Sequence, residues 1–385
     1  MKDHVMELRT CTYEIGTGWT EAPRAELDSA STLVIAFGAT SLIDQLEPLE
    51  TLRRTFPRSL LMGCSTAGEI HETRILDGSL SVAIARFSKT RLAYAQSPIE
   101  RASDSRSAGE SIGRALNRPG LRAVLLLSDG LHVNGTELVA GLNASLPESV
   151  VVTGGLAGDG DRFKRTWVLV EGDARPCFIT AVGFYGEHLR VSHGSKGGWD
   201  IFGPERLVTR SEGNVLYELD GRPALDLYKT YLGERAAGLP ATGLLFPLSL
   251  RANDDHDEKR LVRTILAVDE ATQSLTFAGD IPTGSRAQLM RANFDRLIDG
   301  AAQAAAMARA QGDAHGPVLS VAISCVGRRL VLGERAEEET EATLEALPAG
   351  ASQVGFYSYG ELSPFTTGRC DLHNQTMTLT TFAEE

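Results

Sequence analysis

Residues 60–69, Leu-Leu-Met-Gly-Cys-Ser-Thr-Ala-Gly-Glu, run an apolar stretch into a tight loop opened by Gly63 and closed by Gly68 and Glu69. Ahead of them Leu33 to Phe37 form another apolar run ending at Gly38, and Leu42, Ile43, Leu46, Leu49, Leu52 and Phe56 recur at helical spacing before Pro57. A strand, a helix and a second strand thus follow one another. The pattern returns twice. Val124 to Leu127 turn at Asp129-Gly130, Leu138, Val139, Leu142 and Leu146 keep helical spacing up to Pro147, and the loop is Gly154-Gly-Leu-Ala-Gly158-Asp159. Val318 to Ile323 turn near Gly327, a short acidic helix passes through Leu344 and Leu347 to Pro348, and the loop is Gly355-Phe-Tyr-Ser-Tyr-Gly360-Glu361. The step from Gly38 to Pro57 is 19 residues, from Gly130 to Pro147 17, and from Gly327 to Pro348 21, with 6, 7 and 7 more to the loop glycine. Three ordered matches mark a repeated strand-helix-strand unit, whose two strands pair in parallel through a crossover helix.

Further strand-like runs follow the first two loops: Leu80 to Phe87 and Leu92 to Gln96, then Trp167 to Val170, Phe178 to Phe184 and Leu189 to Ser192. They read as antiparallel additions, so the fold class is α/β, with two domains of mixed sheets built from repeated strand-helix-strand units. The glycine-rich passage from Gly194 to Pro204 breaks every period and is the expected domain boundary. It reads as a hinge, or as a rigid connector packed by Trp199. A helix is expected near Val215 to Tyr231, strands near Leu244 to Leu250, Val262 to Val268 and Leu275 to Phe277, and a long Ala-rich helix from about Ser285 to Ala310. The polar run 251–260, RANDDHDEKR, reads as a solvated hairpin loop.

With 385 residues the chain has room for roughly two to three domains. Against 38 basic residues stand 50 acidic ones, a net charge of −12 that excludes attraction to phosphate backbones or anionic lipid. No apolar stretch approaches the ~18 residues of a membrane helix. The five Cys are odd in number and unpaired in spacing, and the opening MKDHVMELRT lacks the apolar run of a signal peptide. Free thiols in a reducing cytoplasm are the expectation.

The first and third loops have the glycine spacing of a phosphate-binding loop, yet Glu69 and Glu361 stand where a Lys would follow, so nucleotide phosphate is excluded. In the third loop Phe356, Tyr357 and Tyr359 interleave with the glycines, and amphipathic aromatics suit a ligand pocket. Arg328 and Arg329, at a turn, are candidates to pair a carboxylate ligand or to form a salt bridge. Cys64, at the end of a strand, and Cys325 are candidate nucleophiles for a rival, thiol-dependent enzyme; small packing residues are the plain alternative. Cys370 and His373 stand close enough for two metal ligands, but no cluster in the sequence completes a zinc site, and the metal assignment stays open. The eight His show no metal-binding pair; a single axial His for haem would need none. His373, Asn374, Gln375 and Thr376 make a dense polar cluster entering the last strand. Arg328, Tyr357, Tyr359, Glu361, His373 and Asn374 are the expected ligand-binding residues, at an interface of loop ends, and no catalytic residue is assigned.

Seven stretches carry a resemblance to the FIST family: Gly63 to Ile70, Leu125 to Gly130, Gly154 to Asp159, Phe277 to Pro282, Ser324 to Arg328, Gly355 to Glu361 and Leu372 to Met377. The resemblance implies a FIST N-terminal domain over 30–205 and a FIST C-terminal domain over 215–385. It further implies a cytoplasmic sensory protein that binds a small ligand, with amino acids suggested, and regulates a separate partner signalling enzyme. The chain resembles the stand-alone bacterial branch, some of whose members are haem-binding nitric oxide sensors acting on a histidine kinase or a cyclic-di-GMP enzyme. No haem ligand carries over from the family to a numbered position here.

Overall fold

The computed structural model describes residues 6–251, 260–310, 316–364 and 368–385. Three units of one plan account for most of the chain. The first contains β1 (Glu7–Glu14), the two-residue β2 (Gly18–Trp19), β3 (Thr32–Ala39), α1 (Glu47–Thr55), β4 (Leu60–Thr66), a hairpin of β5 (Glu69–His71) and β6 (Arg74–Leu76), and β7 (Ser79–Arg86). The second contains β8 (Arg91–Pro98), α2 (Ser105–Leu116), β9 (Leu121–Ser128), α3 (Gly135–Ser145), β10 (Val151–Leu156), a hairpin of β11 (Val168–Val170) and β12 (Asp173–Arg175), and β13 (Phe178–Tyr185).

The third unit starts at β14 (Leu189–Lys196) and is at once interrupted by a β-rich insert. The insert holds β15 (Asp200–Ile201), β16 (Arg206–Glu212), β17 (Val215–Leu219), β18 (Arg222–Pro223), α4 (Ala224–Leu232), β19 (Leu248–Arg251), β20 (Arg260–Arg263), β21 (Ile265–Asp269), β22 (Ser274–Phe277) and β23 (Arg286–Arg291). The unit resumes with α5 (Phe294–Ala310), β24 (Val318–Cys325), α6 (Val326–Leu332), α7 (Ala336–Ala346), β25 (Ala351–Ser358), a hairpin of β26 (Gly360–Pro364) and β27 (Cys370–His373), and β28 (Met377–Glu384).

Each unit forms a mixed sheet, but none completes it alone. The sheet orders are β12-β11-β4-β3-β7-β1-β2, β27-β26-β10-β9-β13-β8 and β6-β5-β25-β24-β28-β14. In all three the central pair is parallel, as the repeat requires, and the outer hairpin comes from a different unit. Unit one gives β5–β6 to unit three, unit three gives β26–β27 to unit two, and unit two gives β11–β12 to unit one. The exchange is cyclic, so the units stand around a pseudo-three-fold axis.

Strand periodicity accounts for the layers. Leu33, Ile35 and Phe37 face inward, as do Leu125 and Leu127 of β9 and Leu319, Val321 and Ile323 of β24, and all join one central core. Phe37 stacks on Phe356 at 4.7 Å and Phe184 on Phe382 at 4.7 Å between ring centroids within it. The alternate residues, Val34 and Ala36 or Val124 and Leu126, face outward to the helices. The insert has its own core around Val208, Leu225, Leu250 and Phe277. No helix among the described residues is long and apolar enough to cross a membrane.

Several local expectations are corrected. Val215 to Tyr231 is a strand followed by α4, because Asp220-Gly221 turns the chain within it; Asp220 and Gly221 have φ of 50° and 74°. The Ala-rich helix starts at Phe294, and β23 precedes it. Gly327 lies inside α6 rather than at a turn. The passage from Gly194 to Pro204 is a packed connector and not a free hinge: a Cβ on Gly194 would lie 2.0 Å from the Ala304 carbonyl oxygen, and one on Gly198 2.2 Å from that of Arg296. Trp199 is buried there, donating from Nε1 to the Gln375 carbonyl at 3.0 Å. The expected loop at 251–260 lies outside the described residues apart from its ends, Arg251 and Arg260, which are strand residues.

The first glycine of each expected loop lies inside a strand, in β4, β10 and β25, and the three have a common cause. Gly63, Gly154 and Gly355 occupy equivalent positions, and a Cβ on them would fall 2.0, 1.8 and 1.8 Å from the carbonyl oxygens of Ala36, Leu126 and Ala322 on the parallel neighbour. Gly154→Ala is therefore expected to cost about 3 kcal/mol or more, the upper end of overpacking, since backbone cannot step aside. Gly213→Ala, in open space at φ 53°, should cost about 1 kcal/mol. Urea unfolding of both variants decides it, and equal midpoints would refute the close-approach account.

Candidate ligand site

At the axis the three loops interlock through backbone. The amides of Ala67, Gly158 and Tyr359 donate to the carbonyls of Tyr357, Ser65 and Leu156 at 2.8, 3.0 and 3.1 Å, each crossing from one unit to the next. Just beyond this ring lie the acids. Glu69 accepts from the Thr66 hydroxyl and from the amide and hydroxyl of Ser79. Glu361 accepts from the Ser358 hydroxyl at 2.6 Å, and from the Thr376 amide and hydroxyl at 3.3 and 3.0 Å. The two arrangements are the same device in units one and three. Burial pushes Glu69 up to about 7 and Glu361 up to about 8, against the lowering effect of these donors.

The expected site residues divide into two groups. Arg328 is fully buried and forms a clamp: Nε and Nη2 donate to Glu339 Oε2 at 2.9 and 2.7 Å, Nη1 to the Gly197 carbonyl at 2.9 Å and Nη2 to that of Leu297 at 2.7 Å. Tyr357 donates to Glu339 Oε1 at 2.7 Å, and burial raises its phenol far above the ordinary value. Tyr359 donates to Asp159 and to the Gly160 carbonyl, and its ring stacks on Phe163 at 4.6 Å. Arg328, Tyr357, Tyr359 and Glu361 thus spend their polar atoms on one another's supports. They hold the loops and line none of the cavities described below.

His373 and Asn374 do reach a cavity. About 260 Å³ in volume, it lies between the end of β14 from Ser195 to Gly197, β20 from Arg260 to Val262, Met307 of α5, and His373, Asn374 and Thr376. The insert therefore closes one side and the third unit the other. Arg263, from the insert, donates to the Leu372 carbonyl at 3.1 Å and fixes that contact. Lys196 and Arg260 bring positive charge to the wall. Asn374 is fully buried, yet neither its amide nitrogen nor its amide oxygen has a protein partner. Leaving such a group unpaired costs about 1–3 kcal/mol, so a buried amide of this kind is ordinarily met by a ligand or water. A larger cavity, about 750 Å³, opens between Lys89, Arg91, Arg118 and Tyr185 of unit two and Ala30 and Ser31 of unit one, and touches none of the expected residues.

Lys196, Arg260 and Met307 escaped sequence reasoning, being remote from one another along the chain. The signal that did survive was the polar run from His373 to Thr376. All five cysteines are free thiols. Cys64 and Cys325 are buried at the ends of β4 and β24, and desolvation pushes both thiols upward, away from the thiolate a nucleophile needs. Cys370 and His373 are three residues apart along β27, so their side chains leave opposite faces of the strand. Haem does not fit the cavity, which falls below the ~300–1,000 Å³ of pockets for drug-sized ligands, and His373 Nε2 already faces the Ser363 carbonyl at 2.9 Å.

Two family models match the chain. Residues 32–222 match the FIST N domain and residues 224–364 the FIST C domain. No curated protein matches it.

The raised acid has a measurable consequence. A folded-state value near 8 against 4.5 unfolded means that the native protein holds a proton that the unfolded chain releases, so stability falls as pH rises from about 4.5 to about 8. Glu361→Gln should flatten that part of the stability–pH curve and leave the remainder, to which Glu69 contributes. Superimposable slopes for wild type and variant in urea titrations at pH 5, 6.5 and 8 would mean that Glu361 titrates as an ordinary carboxyl.

Proposed function

Because the chain belongs to the FIST family, with both its N and C domains, we propose that it is a sensor whose small ligand occupies the cavity walled by Asn374. Domains of this family are associated with small-ligand binding in signal transduction. One observation carries the choice of cavity: the fully buried, unpartnered amide of Asn374. The cations Lys196 and Arg260 favour a small organic anion, the Asn374 amide favours one that also offers a donor and an acceptor, and an amino acid meets that description. Burial of Cys64 and Cys325 favours a binding role over thiol catalysis. The output of the proposed sensor is a separate signalling enzyme, a histidine kinase or a cyclic-di-GMP enzyme.

Ligand entry has a built-in reporter. Trp199 hangs from the carbonyl of Gln375, next to Asn374, and follows Gly197 of the cavity wall by two residues. A screen of amino acids and related carboxylates should find a compound that raises the melting temperature and shifts Trp199 fluorescence. At one hundred times Kd the gain is about 2.7 kcal/mol. Asn374→Leu should abolish both effects, Lys196→Ala should weaken them, and Trp199→Phe should remove the fluorescence change alone. A ligand whose binding is untouched by Asn374→Leu would place the sensor site elsewhere.

A further inference from the structure

The three units offer an internal comparison at the place where the first parallel strand ends. Strand pairing aligns Gly38, Ser128 and Ser324, and with them the next residue, the one three further on, and the residue two before the return strand's first matched partner. In unit one these positions are Ala39, Leu42 and Gly78. Unit three has Cys325, Arg328 and Gln375. Unit two has Asp129, His132 and Cys177. The third position is left-handed in every case, with φ of 65° at Gly78, 63° at Gln375 and 59° at Cys177, so Cys177 occupies a conformation that the fold demands and glycine would satisfy. The fold needs the bend but does not need these side chains, since unit one has none of their chemistry.

In unit two the side chains converge. His132 Nδ1 lies 3.1 Å from Asp129 Oδ1 and 3.6 Å from Cys177 Sγ, and the three ligand atoms all lie within 4.8 Å of one another. Zinc–ligand bonds of ~2.0 Å to nitrogen and oxygen and ~2.3 Å to sulfur, at tetrahedral angles, separate nitrogen from oxygen by ~3.3 Å and nitrogen from sulfur by ~3.5 Å. The observed spacings match. Both neighbours approach the same imidazole nitrogen, which is the arrangement of a chelate. A catalytic relay would place the thiol and the carboxylate on opposite nitrogens.

Asp129 is buried and firmly oriented. Oδ2 accepts from the Thr166 hydroxyl at 2.9 Å and the Cys177 amide at 3.2 Å, and Oδ1 from the amides of Leu131 and His132 at 2.8 Å each. The bonds on Oδ2 are the support that holds a ligating carboxylate in place, and a metal at Oδ1 would share that oxygen with the two amides. The His132 side chain is 46% exposed, which leaves the cluster open to solvent on one side.

We propose that Asp129 Oδ1, His132 Nδ1 and Cys177 Sγ form a three-residue site for a borderline-soft divalent metal, Zn²⁺, with a fourth position open to water. On binding, the imidazole proton resides on Nε2, the Cys177 thiol releases its proton to solvent, and the carboxylate and thiolate balance the charge of the ion. The site ties the end of β9 to the start of β13. It lies beside Asn134, which caps α3 and whose Nδ2 donates to Asp280 of the insert at 2.9 Å.

The test uses the full chain, freed of any histidine tag and stripped with a chelator. Competition against a chromogenic zinc indicator should give one equivalent of tightly held Zn²⁺ for the wild type, weakened about tenfold or more in His132→Ala and in Cys177→Ser. Both changes fall on side chains at the surface or near it, so folding is retained and is checked by an unchanged melting temperature without metal. Co²⁺ should produce a thiolate-to-cobalt charge-transfer band in wild type and in Cys325→Ser, and none in Cys177→Ser. Absence of stoichiometric zinc in the wild type, or binding that survives both substitutions, overturns the site. Neither result bears on the cavity at Asn374, which is probed by organic ligands alone.

Discussion

Where Ala67, Gly158 and Tyr359 each pass an amide hydrogen to a carbonyl of the next unit, the chain closes a ring of three hydrogen bonds about its axis. The path of everything downstream follows. After the ring each chain segment has crossed into its neighbour's territory, so its hairpin adds to the neighbour's sheet, and only the return strand comes home. A unit taken alone would expose an unpaired edge at β4, β10 or β25 and an inner face without its central core. Most of the stabilising contacts therefore join residues far apart in sequence, and folding must bear the loop-closure entropy of all three units before the central core is complete.

Buried charge reinforces the ring. Arg328 and Glu339, both fully buried, join α6, α7, the end of β14 and α5, and Ser324 and Tyr357 complete the carboxylate's coordination. Such a pair adds little net stability over an apolar one, yet loss of either partner strands the other. Its contribution is to permit one arrangement of those elements. Arg263 acts likewise between the insert and β27, reaching carbonyls of Leu372 and Asp280. The cavity beside Asn374 is walled by Gly197, which the first clamp holds, and by Val262, next to the second.

The triplication was legible because the loop glycines and the prolines recur at nearly constant steps. Their cause was not, since a carbonyl approaching Gly63, Gly154 or Gly355 belongs to a strand more than twenty residues away. Hairpin exchange left no trace either: β26 reads as a strand whether it pairs with β25 or with β10. The acid after the last glycine misled in unit two. Ring pairing sets Gly158 level with Ala67 and Tyr359, so Asp159 is not the counterpart of Glu69 and Glu361, and it is spent instead on the amides of Phe163, Lys164 and Arg165. Of the site, the polar run His373 to Thr376 was readable as chemistry. Arg328, Tyr357, Tyr359 and Glu361 were readable as unusual, but only their hydrogen-bond partners, against the unpartnered amide of the equally buried Asn374, distinguish a support from a contact.

The insert leaves and re-enters the third unit at one point, since Asp200 pairs with Arg291 and Ile201 with Met290. Antiparallel partners stand only about 5 Å apart, so the chain leaves and re-enters the body through one two-stranded stalk, and the insert packs back on the body through Arg263 and Asp280. A cassette attached in this way can be lengthened, trimmed or exchanged without rerouting the trefoil beneath it. Because that cassette supplies Arg260 to Val262 to the cavity while the trefoil supplies Asn374, exchanging the cassette would rebuild one wall of the cavity and leave the other as it is.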